Sequence, residues 1–203
     1  MLRSYLYDAF IVDMTSKWYR HVLSLVPPRS SVLDVGIGTA SSLLKSRDIV
    51  ISKRLRVVGV DYDSAYVSAA ERNVAALGMT DQISLTCADI HKYDGGPFDI
   101  IYFSGSFMII PDKVAALRRC CKMLRSDGRL FFTQTFEKRH VLRWLTPLIK
   151  ATLKVLLTID FGDVTYEDDF FATLAAADVS LVQKKVTAKG WLREEVLIIA
   201  KPA

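Results

Sequence analysis

Short apolar runs alternate with longer mixed segments along most of the chain. Five of the runs have the length and composition of buried strands: 31–35, 56–60, 83–86, 98–103 and 129–135. The remaining segments predict helices, some of them amphipathic: 8–26, 40–47, 64–77, 112–124 and 166–177. In the amphipathic segments, apolar residues recur every three or four positions, as expected for a helix that packs one face on a core.

Residues that favour helix ends mark several of these boundaries. Pro27-Pro28 end the first helix, because proline has no amide hydrogen and disfavours a helical residue before it. Thr39 and Ser64 are predicted as N-caps of the next two helices. Gly78 is predicted as the C-terminal stop of the helix that begins at Ser64.

The end of the chain predicts a β-hairpin. Two strand-like runs, 181–187 and 191–200, flank the turn-like sequence Ala188-Lys189-Gly190. The whole pattern predicts an α/β fold: a doubly wound, Rossmann-like sheet of about seven strands, mostly parallel, with one antiparallel strand contributed by the hairpin. No repeat or linker interrupts the sequence, so we interpret residues 1–203 as a single domain.

Two segments outside the alternation are interpreted as helical covers. The first, 1–29, carries aromatic residues such as Tyr7, for which core packing is a simpler explanation than ligand contact. The second, 136–163, follows strand five and separates basic from apolar side chains, and Pro147 divides it into two predicted helices. It could lie on a membrane surface through 138–158, but packing over a cleft is favoured.

Composition narrows the class of protein without identifying a partner. Of the 203 residues, 51% are apolar and 24% are charged, which is ordinary for a soluble globular protein. The formal charge of +5 is mild, and a solvated basic face is a more common explanation for it than an anionic partner. Nucleic acid is therefore not the favoured partner, and nothing in the sequence defines an oligomeric state.

The cysteines and the N-terminus predict a cytoplasmic protein. Cys87, Cys120 and Cys121 are sparse and odd in number, which favours reduced thiols in an intracellular protein. No Cys or His constellation has a metal-ligand spacing, so no metal is expected. The N-terminus has no signal-like apolar core, and no run approaches the ~18 apolar residues of a membrane-spanning helix.

The sequence around the first strand is typical of a nucleotide-binding βαβ unit. The first strand leads into Gly36-Ile37-Gly38, and the second strand ends at Asp61, where a carboxylate can reach ribose hydroxyls. The dinucleotide pattern requires a third glycine where Ser41 stands, which argues against NAD or FAD. A Gly-Lys-Ser/Thr loop is also absent, which argues against ATP and GTP.

Four motifs in order resemble those of the class I S-adenosylmethionine-dependent methyltransferases. Val-Leu-Asp-Val-Gly-Ile-Gly-Thr-Ala at 32–40 resembles the first motif, and Val-Gly-Val-Asp-Tyr-Asp at 58–63 resembles the second. Cys-Ala-Asp-Ile at 87–90 is similar to the third, and the strand from Phe98 is similar to the fourth. The sequence departs from the family at Ala40, where glycine is usual.

The resemblance implies that S-adenosylmethionine is the cofactor. It also implies that the first motif contacts the methionine end of this cofactor. Gly36 and Gly38 would lie close to the methionine moiety, with the acidic Asp34 before them. A purely structural role for Asp34, fixing its own loop, stays open.

The resemblance assigns the other end of the cofactor to the second and third motifs. Asp61 would bind the ribose hydroxyls, and Tyr62 would lie against one face of the adenine. Asp89 would accept the adenine amino group and Ile90 would contact the ring, although Asp89 could instead cap a turn. Because parallel strands end at one edge of a sheet, these acidic residues are expected to converge with Asp34 on one cleft.

Methyl transfer from a sulfonium needs chiefly in-line placement of the acceptor and exclusion of water. Ser104, at the end of strand four, is expected at the cofactor, and Ser106, Phe107 and Tyr7 are candidate substrate contacts. An ordinary strand-to-helix loop, with both serines bonded to the backbone, is an equal alternative.

A base is needed only if the acceptor must lose a proton. Glu137, His140 and Tyr19 are candidates, but the sequence gives none of them a supporting partner. The catalytic residues therefore stay unassigned from sequence.

The favoured function is S-adenosylmethionine-dependent methyl transfer to a small-molecule acceptor by direct in-line displacement. A protein or RNA acceptor is one alternative, and a non-catalytic, cofactor-binding partner subunit is another. The Asn/Asp-Pro-Pro-aromatic motif of enzymes that methylate base amino groups is absent after strand four, which disfavours that acceptor.

Overall fold

A computed structural model describes residues 2–137, 165–191 and 193–203, with side chains from Val12 onward. Its helices are α1 Leu2–Leu25, α2 Ser41–Leu44, α3 Arg47–Ser52, α4 Ser64–Ala76, α5 Lys113–Met123 and α6 Glu167–Ala176, with a 3-10 turn at Phe107–Ile109. Its strands are β1 Ser31–Val35, β2 Arg56–Asp61, β3 Ile83–Cys87, β4 Phe98–Ser104, β5 Leu124–Glu137, β6 Val179–Lys189 and β7 Arg193–Pro202.

These strands form one seven-stranded sheet in the order β3-β2-β1-β4-β5-β7-β6. Neighbouring strands from β3 to β5 are parallel, whereas β7 runs antiparallel to both β5 and β6. The predicted α/β sheet with one antiparallel strand is therefore confirmed. The chain reverses its direction of winding at β1, between β2 and β4, and open sheets of this kind bind ligands beyond the strand ends at such a point.

Alternate side chains of the central strands enter two cores, one on each side of the sheet. On one side, which we call the α6 face, Leu33, Ile101 and Phe132 pack with α5 and α6. On the other, the α1 face, Val32 and Tyr102 pack with α1, α2 and α4. Successive side chains of a strand point to opposite faces of the sheet, and here both faces are buried. The central strands therefore appear in the sequence as continuous apolar runs.

Two predicted N-caps are wrong because a neighbouring residue occupies the cap position. Asp63, one residue before Ser64, has extended backbone angles and accepts the Ala65 amide at 2.8 Å. Ala40, not Thr39, precedes α2, in a left-handed conformation with φ of 58° and no side-chain cap bond. The helix predicted over 40–47 is accordingly two short helices, α2 and α3.

Gly78 ends α4 as predicted. Its φ is +63°, and the Gly78 and Met79 amides donate to the carbonyls of Ala75 and Val74, both at 3.0 Å. This is the paired bonding of a Schellman motif, in which glycine avoids the strain of the left-handed conformation.

Strand β5 begins five residues earlier than the predicted 129, and α5 ends at Met123. Phe98 pairs with Leu124, but Ile100 pairs with Arg129, so the extra residues of β5 form a bulged stretch. A Cβ on Gly128 would lie 3.1 Å from the Asp99 carbonyl oxygen, so this residue allows the two backbones to approach closely. The residues between α5 and the predicted start of the strand are thus part of β5.

The first helix is longer than predicted and begins at Leu2, so Tyr7 lies within α1. Its side chain is outside the described set, as are residues 138–164, which contain most of the predicted cover at 136–163. Across the portion of the chain that the structure describes, no helix has the length and apolar character needed to span a membrane.

We expect Asp63→Ala to destabilise the protein and Ser64→Ala to leave it almost unchanged. Loss of the N-cap bond costs about 1 kcal/mol, which corresponds to a fall in Tm of about 2–4 °C for a chain of this size. Thermal unfolding of both variants without added ligand measures the difference. Equal Tm values for the two variants would argue against Asp63 as the cap.

Candidate cofactor and methyl-transfer site

The loop after β1 is held against β2 by backbone and side-chain hydrogen bonds. The Gly36 amide donates to the Val60 carbonyl at 2.7 Å, and the Gly38 amide donates to Asp61 Oδ2 at 2.9 Å. Gly36 has a φ of +75°, and a Cβ there would lie 2.5 Å from the Ser106 Cβ. Glycine is therefore required both by conformation and by the close approach of the loop after β4.

Asp61 links three parts of the site, two through its buried carboxylate and one through its main-chain carbonyl. Besides Gly38, it accepts the Asp63 amide through Oδ1 at 3.0 Å. The Ala88 amide after β3 donates to the Asp61 main-chain carbonyl at 2.9 Å. Each carboxylate oxygen has a second lone pair, so Asp61 can still accept a hydrogen bond from a ligand hydroxyl.

Asp34 lies beneath the same loop and is 1% exposed. The Tyr19 hydroxyl donates to its Oδ2 at 2.7 Å, while Oδ1 has no hydrogen-bond partner among the described residues. Burial raises the pKa of Asp34 to about 7; the bond from Tyr19 opposes this rise and the charge of Asp61 adds to it. A cation beside Oδ1 would favour the ionised form.

Asp89 and Tyr62 lie at the neighbouring strand ends, on the other side of Asp61. Asp89 Oδ1 accepts the His91 amide at 3.0 Å and bonds the His91 Nδ1 at 2.8 Å, and these bonds lower the Asp89 pKa. The second Asp89 oxygen remains available to an amino group. Tyr62 is 77% exposed, so its ring is accessible to a ligand, whereas Ile90 is buried in the core of the α6 face.

The loop after β4 places its two serines differently. The Ser104 hydroxyl is buried on the α1 face, close to the hydroxyls of Tyr19 and Tyr102. The Ser106 hydroxyl donates to the Val35 carbonyl and holds the loop on the end of β1. Ser106 therefore supports the loop, and its oxygen is already bonded.

Phe107 is almost fully buried instead of forming an exposed wall. Its ring packs on Phe103, Phe132 and Phe170 with centroid distances of 5.3, 5.1 and 5.6 Å. Phe107 also borders a cavity of about 170 Å³, lined by Phe107, Met108, Lys113, Thr165, Asp169, Phe170 and Thr173.

The three candidate bases, Tyr19, Glu137 and His140, differ in how well their surroundings suit a residue that accepts a proton. Burial raises the pKa of Tyr19 well above its usual value, and its proton is donated to Asp34, so Tyr19 is better suited to hold that carboxylate than to accept a proton. Glu137 ends β5, where its amide donates to the Thr165 carbonyl at 3.1 Å. His140 lies outside the described residues, as does the 138–158 segment.

Two contacts of α1 were missed from sequence because they join distant positions. Trp18 is 5% exposed, and its Nε1 donates to Glu195 Oε2 on β7 at 2.9 Å. The Trp18 ring also lies 3.4 Å from the point where a Gly105 side chain would begin. No local pattern identifies Trp18 or His91 as neighbours of the site; both look like ordinary helix and loop residues.

The described parts of the chain contain no cluster of three or more His, Cys, Asp or Glu side chains able to hold an ion. The three cysteines are free thiols.

Comparison with known proteins agrees with this geometry. A family model described as "Methyltransferase domain" matches residues 32–128. Nocamycin O-methyltransferase of Saccharothrix syringae is 32% identical over 147 residues, 70% of this chain and 52% of that protein. Aklanonic acid methyltransferase DauC of Streptomyces sp. (strain C5) is 28% identical over 155 residues, 72% of this chain and 70% of that protein.

The fold is also similar to those of solved methyltransferase structures. The mitomycin 7-O-methyltransferase MmcR superposes with a TM-score of 0.73 at 16% identity, covering 94% of this chain and 54% of that one. The chain thus spans about half the length of MmcR and of the nocamycin relative. Residues 32–128 thus match a methyltransferase domain, and the chain is similar in sequence and fold to S-adenosylmethionine-dependent methyltransferases of class I.

We expect Asp34→Asn to stabilise the ligand-free protein more at pH 8 than at pH 4.5. The folded-state pKa of Asp34 is about 7 against an ordinary value of 3.8, so the stability that its protonated form contributes is lost as pH rises between these values. The difference corresponds to at most roughly 4 kcal/mol. Thermal unfolding of both proteins at both pH values measures it, and an equal Tm gap at the two pH values would contradict a raised pKa.

Proposed function

We propose that this protein transfers the methyl group of S-adenosylmethionine to a small-molecule acceptor by direct in-line displacement. The observation that carries this proposal is the Asp61 carboxylate, which binds the Gly36–Gly38 loop to the end of β2 at the point where the sheet reverses its winding. The match of residues 32–128 to a methyltransferase domain supports the same conclusion.

The residues at the strand ends fit the cofactor in charge as well as in position. Asp34 presents a buried oxygen that has no donor among the residues the structure describes, which suits the cationic ammonium of the methionine moiety. Asp61 would accept ribose hydroxyls through its remaining lone pairs, and the second carboxylate oxygen of Asp89 would accept the adenine amino group. The exposed ring of Tyr62 can cover the base.

When bound, S-adenosylmethionine supplies an electrophilic methyl group, so the protein's task is placement of the acceptor and exclusion of water. Ser104 and Gly105 lie at the end of β4, and Trp18 covers Gly105 from α1. Trp18 is buried and bonded to Glu195, which keeps this side of the site closed to solvent. We therefore assign α1 the role of a fixed cover.

The relatives support a small-molecule acceptor. One is named for nocamycin and another for aklanonic acid. Residues 1–203 would form a single domain, with 136–163 as a second cover near the acceptor. The free thiols among the described residues are consistent with a cytoplasmic location.

We expect Asp61→Ala to weaken binding of S-adenosylmethionine by tenfold or more. The change removes a charged acceptor for ribose hydroxyls and releases the Gly38 amide, and a hydrogen bond to a charged group contributes about 1.5–3 kcal/mol. Isothermal titration calorimetry measures the affinity. Asp127→Ala, an exposed aspartate at the opposite end of the sheet, is the matched control and should bind as the wild type does. Absence of binding by the wild type would refute the proposed function.

We expect label from methyl-labelled S-adenosylmethionine to enter the small-molecule fraction when the protein is incubated with a fractionated cell extract. Because the cleft carries the cofactor groups and a cavity near β4 and β5, the acceptor should be a metabolite and not a polymer. Label recovered in protein or RNA would contradict a small-molecule acceptor. Binding of the cofactor without transfer into any fraction would instead indicate a non-catalytic partner subunit.

A further inference from the structure

Gln134 is a buried amide that no group in the described part of the chain satisfies. It lies on β5 and is 1% exposed, and neither its Nε2 nor its Oε1 has a hydrogen-bond partner within the described residues. A buried amide that loses water without gaining a partner destabilises the folded state. An apolar side chain of the same size, such as methionine, would avoid that cost.

Another glutamine in the chain shows the usual arrangement. Gln82, at the other end of the sheet, donates through its Nε2 to the Val50 carbonyl at 3.3 Å. Most buried polar side chains are bonded in this way, so an unbonded pair of donor and acceptor atoms calls for an explanation. A bound ligand is a common one.

The surroundings of Gln134 are aromatic and lie at the carboxyl end of the sheet. Gln134 lies two residues from both Phe132 and Phe136 on β5, so its side chain is on the same face of the sheet as theirs. Both phenylalanines belong to the core of the α6 face. Its partner on β7 is Val196, also in that core. The Gly105 amide donates to the carbonyl of Thr133 at 2.8 Å, so Gln134 lies just beyond the end of β4, where the methyl group would be presented.

The cavity described above reaches the same aromatic cluster. Phe107 and Phe170 line the cavity, and each packs on Phe132 with centroid distances of 5.1 and 5.3 Å. The cavity and the Gln134 amide therefore border the same aromatic cluster.

The geometry points to Gln134 as the polar contact that selects the methyl acceptor. An amide presents a donor and an acceptor side by side, and it matches a carboxamide, a carboxylic acid or a hydroxyl next to a carbonyl. Because the surrounding side chains are aromatic, the rest of the acceptor is planar and largely apolar. This inference rests on the proposed methyl transfer, and it adds the chemical class of the acceptor.

Paired substitutions test whether the amide is unbonded in the free protein. Gln134→Met should raise Tm by about 2–4 °C, because it removes the unpaired polar atoms at nearly constant volume. Gln82→Met should lower Tm, because it removes a hydrogen bond that exists. If Gln134→Met lowers Tm instead, a protein group or an internal water already satisfies the amide, and the inference fails.

Binding of benzamide tests recognition without knowledge of the natural acceptor. Benzamide carries the carboxamide on an aromatic ring, whereas toluene has the ring alone. Saturation-transfer NMR should show benzamide bound to the wild type and to Gln82→Met, and bound at least about tenfold more weakly to Gln134→Met, with toluene unaffected by the substitution. Equal benzamide signals from all three proteins, or none from the wild type, would overturn the assignment.

Turnover separates this inference from the proposed function. Gln134→Met should bind S-adenosylmethionine with unchanged affinity but label the acceptor fraction at least about tenfold more slowly than the wild type. Normal labelling by Gln134→Met would remove the role of Gln134 and leave methyl transfer intact. Failure of the wild type to bind cofactor would refute the proposed function, whereas the Tm and benzamide measurements would still decide whether Gln134 forms a binding site.

Discussion

The arrangement of the site depends on one buried carboxylate. Asp61 accepts the amides of Gly38 and Asp63 and thereby joins the loop after β1 to the start of α4. Asp34 lies close enough for the charge of Asp61 to raise its pKa. Two neighbouring buried carboxylates are unfavourable in the empty protein, and a cationic ligand offsets that cost. Binding and stability are therefore coupled, because a ligand that binds only the folded state stabilises it.

The N-terminal helix is bound to this centre by two contacts. Tyr19 donates to Asp34, and Trp18 donates to Glu195 on β7, so α1 spans the end of the sheet from β1 to β7. Both donors are buried, and their bonds are satisfied only when α1 lies across the strand ends. The same two side chains fix Asp34 and cover Gly105. A helix that could be taken as simple core packing thus contributes to the geometry of the site.

The fold and the class of cofactor could be predicted from sequence, whereas the contacts that support the loops at the strand ends could not. Buried strands give continuous apolar runs, and Asp61 is visible because it interrupts one. The N-cap of α4 was misassigned because Asp63 and Ser64 are adjacent and equally suited to capping, and only the backbone angles distinguish them. The bond between Trp18 and Glu195 joins positions 177 residues apart, and no local pattern encodes such a contact.

The two faces of β5 show why the sequence predicts the cofactor more readily than it predicts the methyl acceptor. On the α1 face, the Thr133 and Tyr102 hydroxyls bond each other at 2.7 Å, and the Tyr19 hydroxyl donates to Asp34. On the α6 face, Gln134 has no hydrogen-bond partner among the described residues and shares its side of β5 with Phe132 and Phe136. The apolar pattern of β5 predicts only that this position is buried. The proposed cofactor contacts belong to short motifs at strand ends. The proposed acceptor contact is a single side chain within a strand, and only the three-dimensional arrangement of hydrogen bonds distinguishes it from other buried residues.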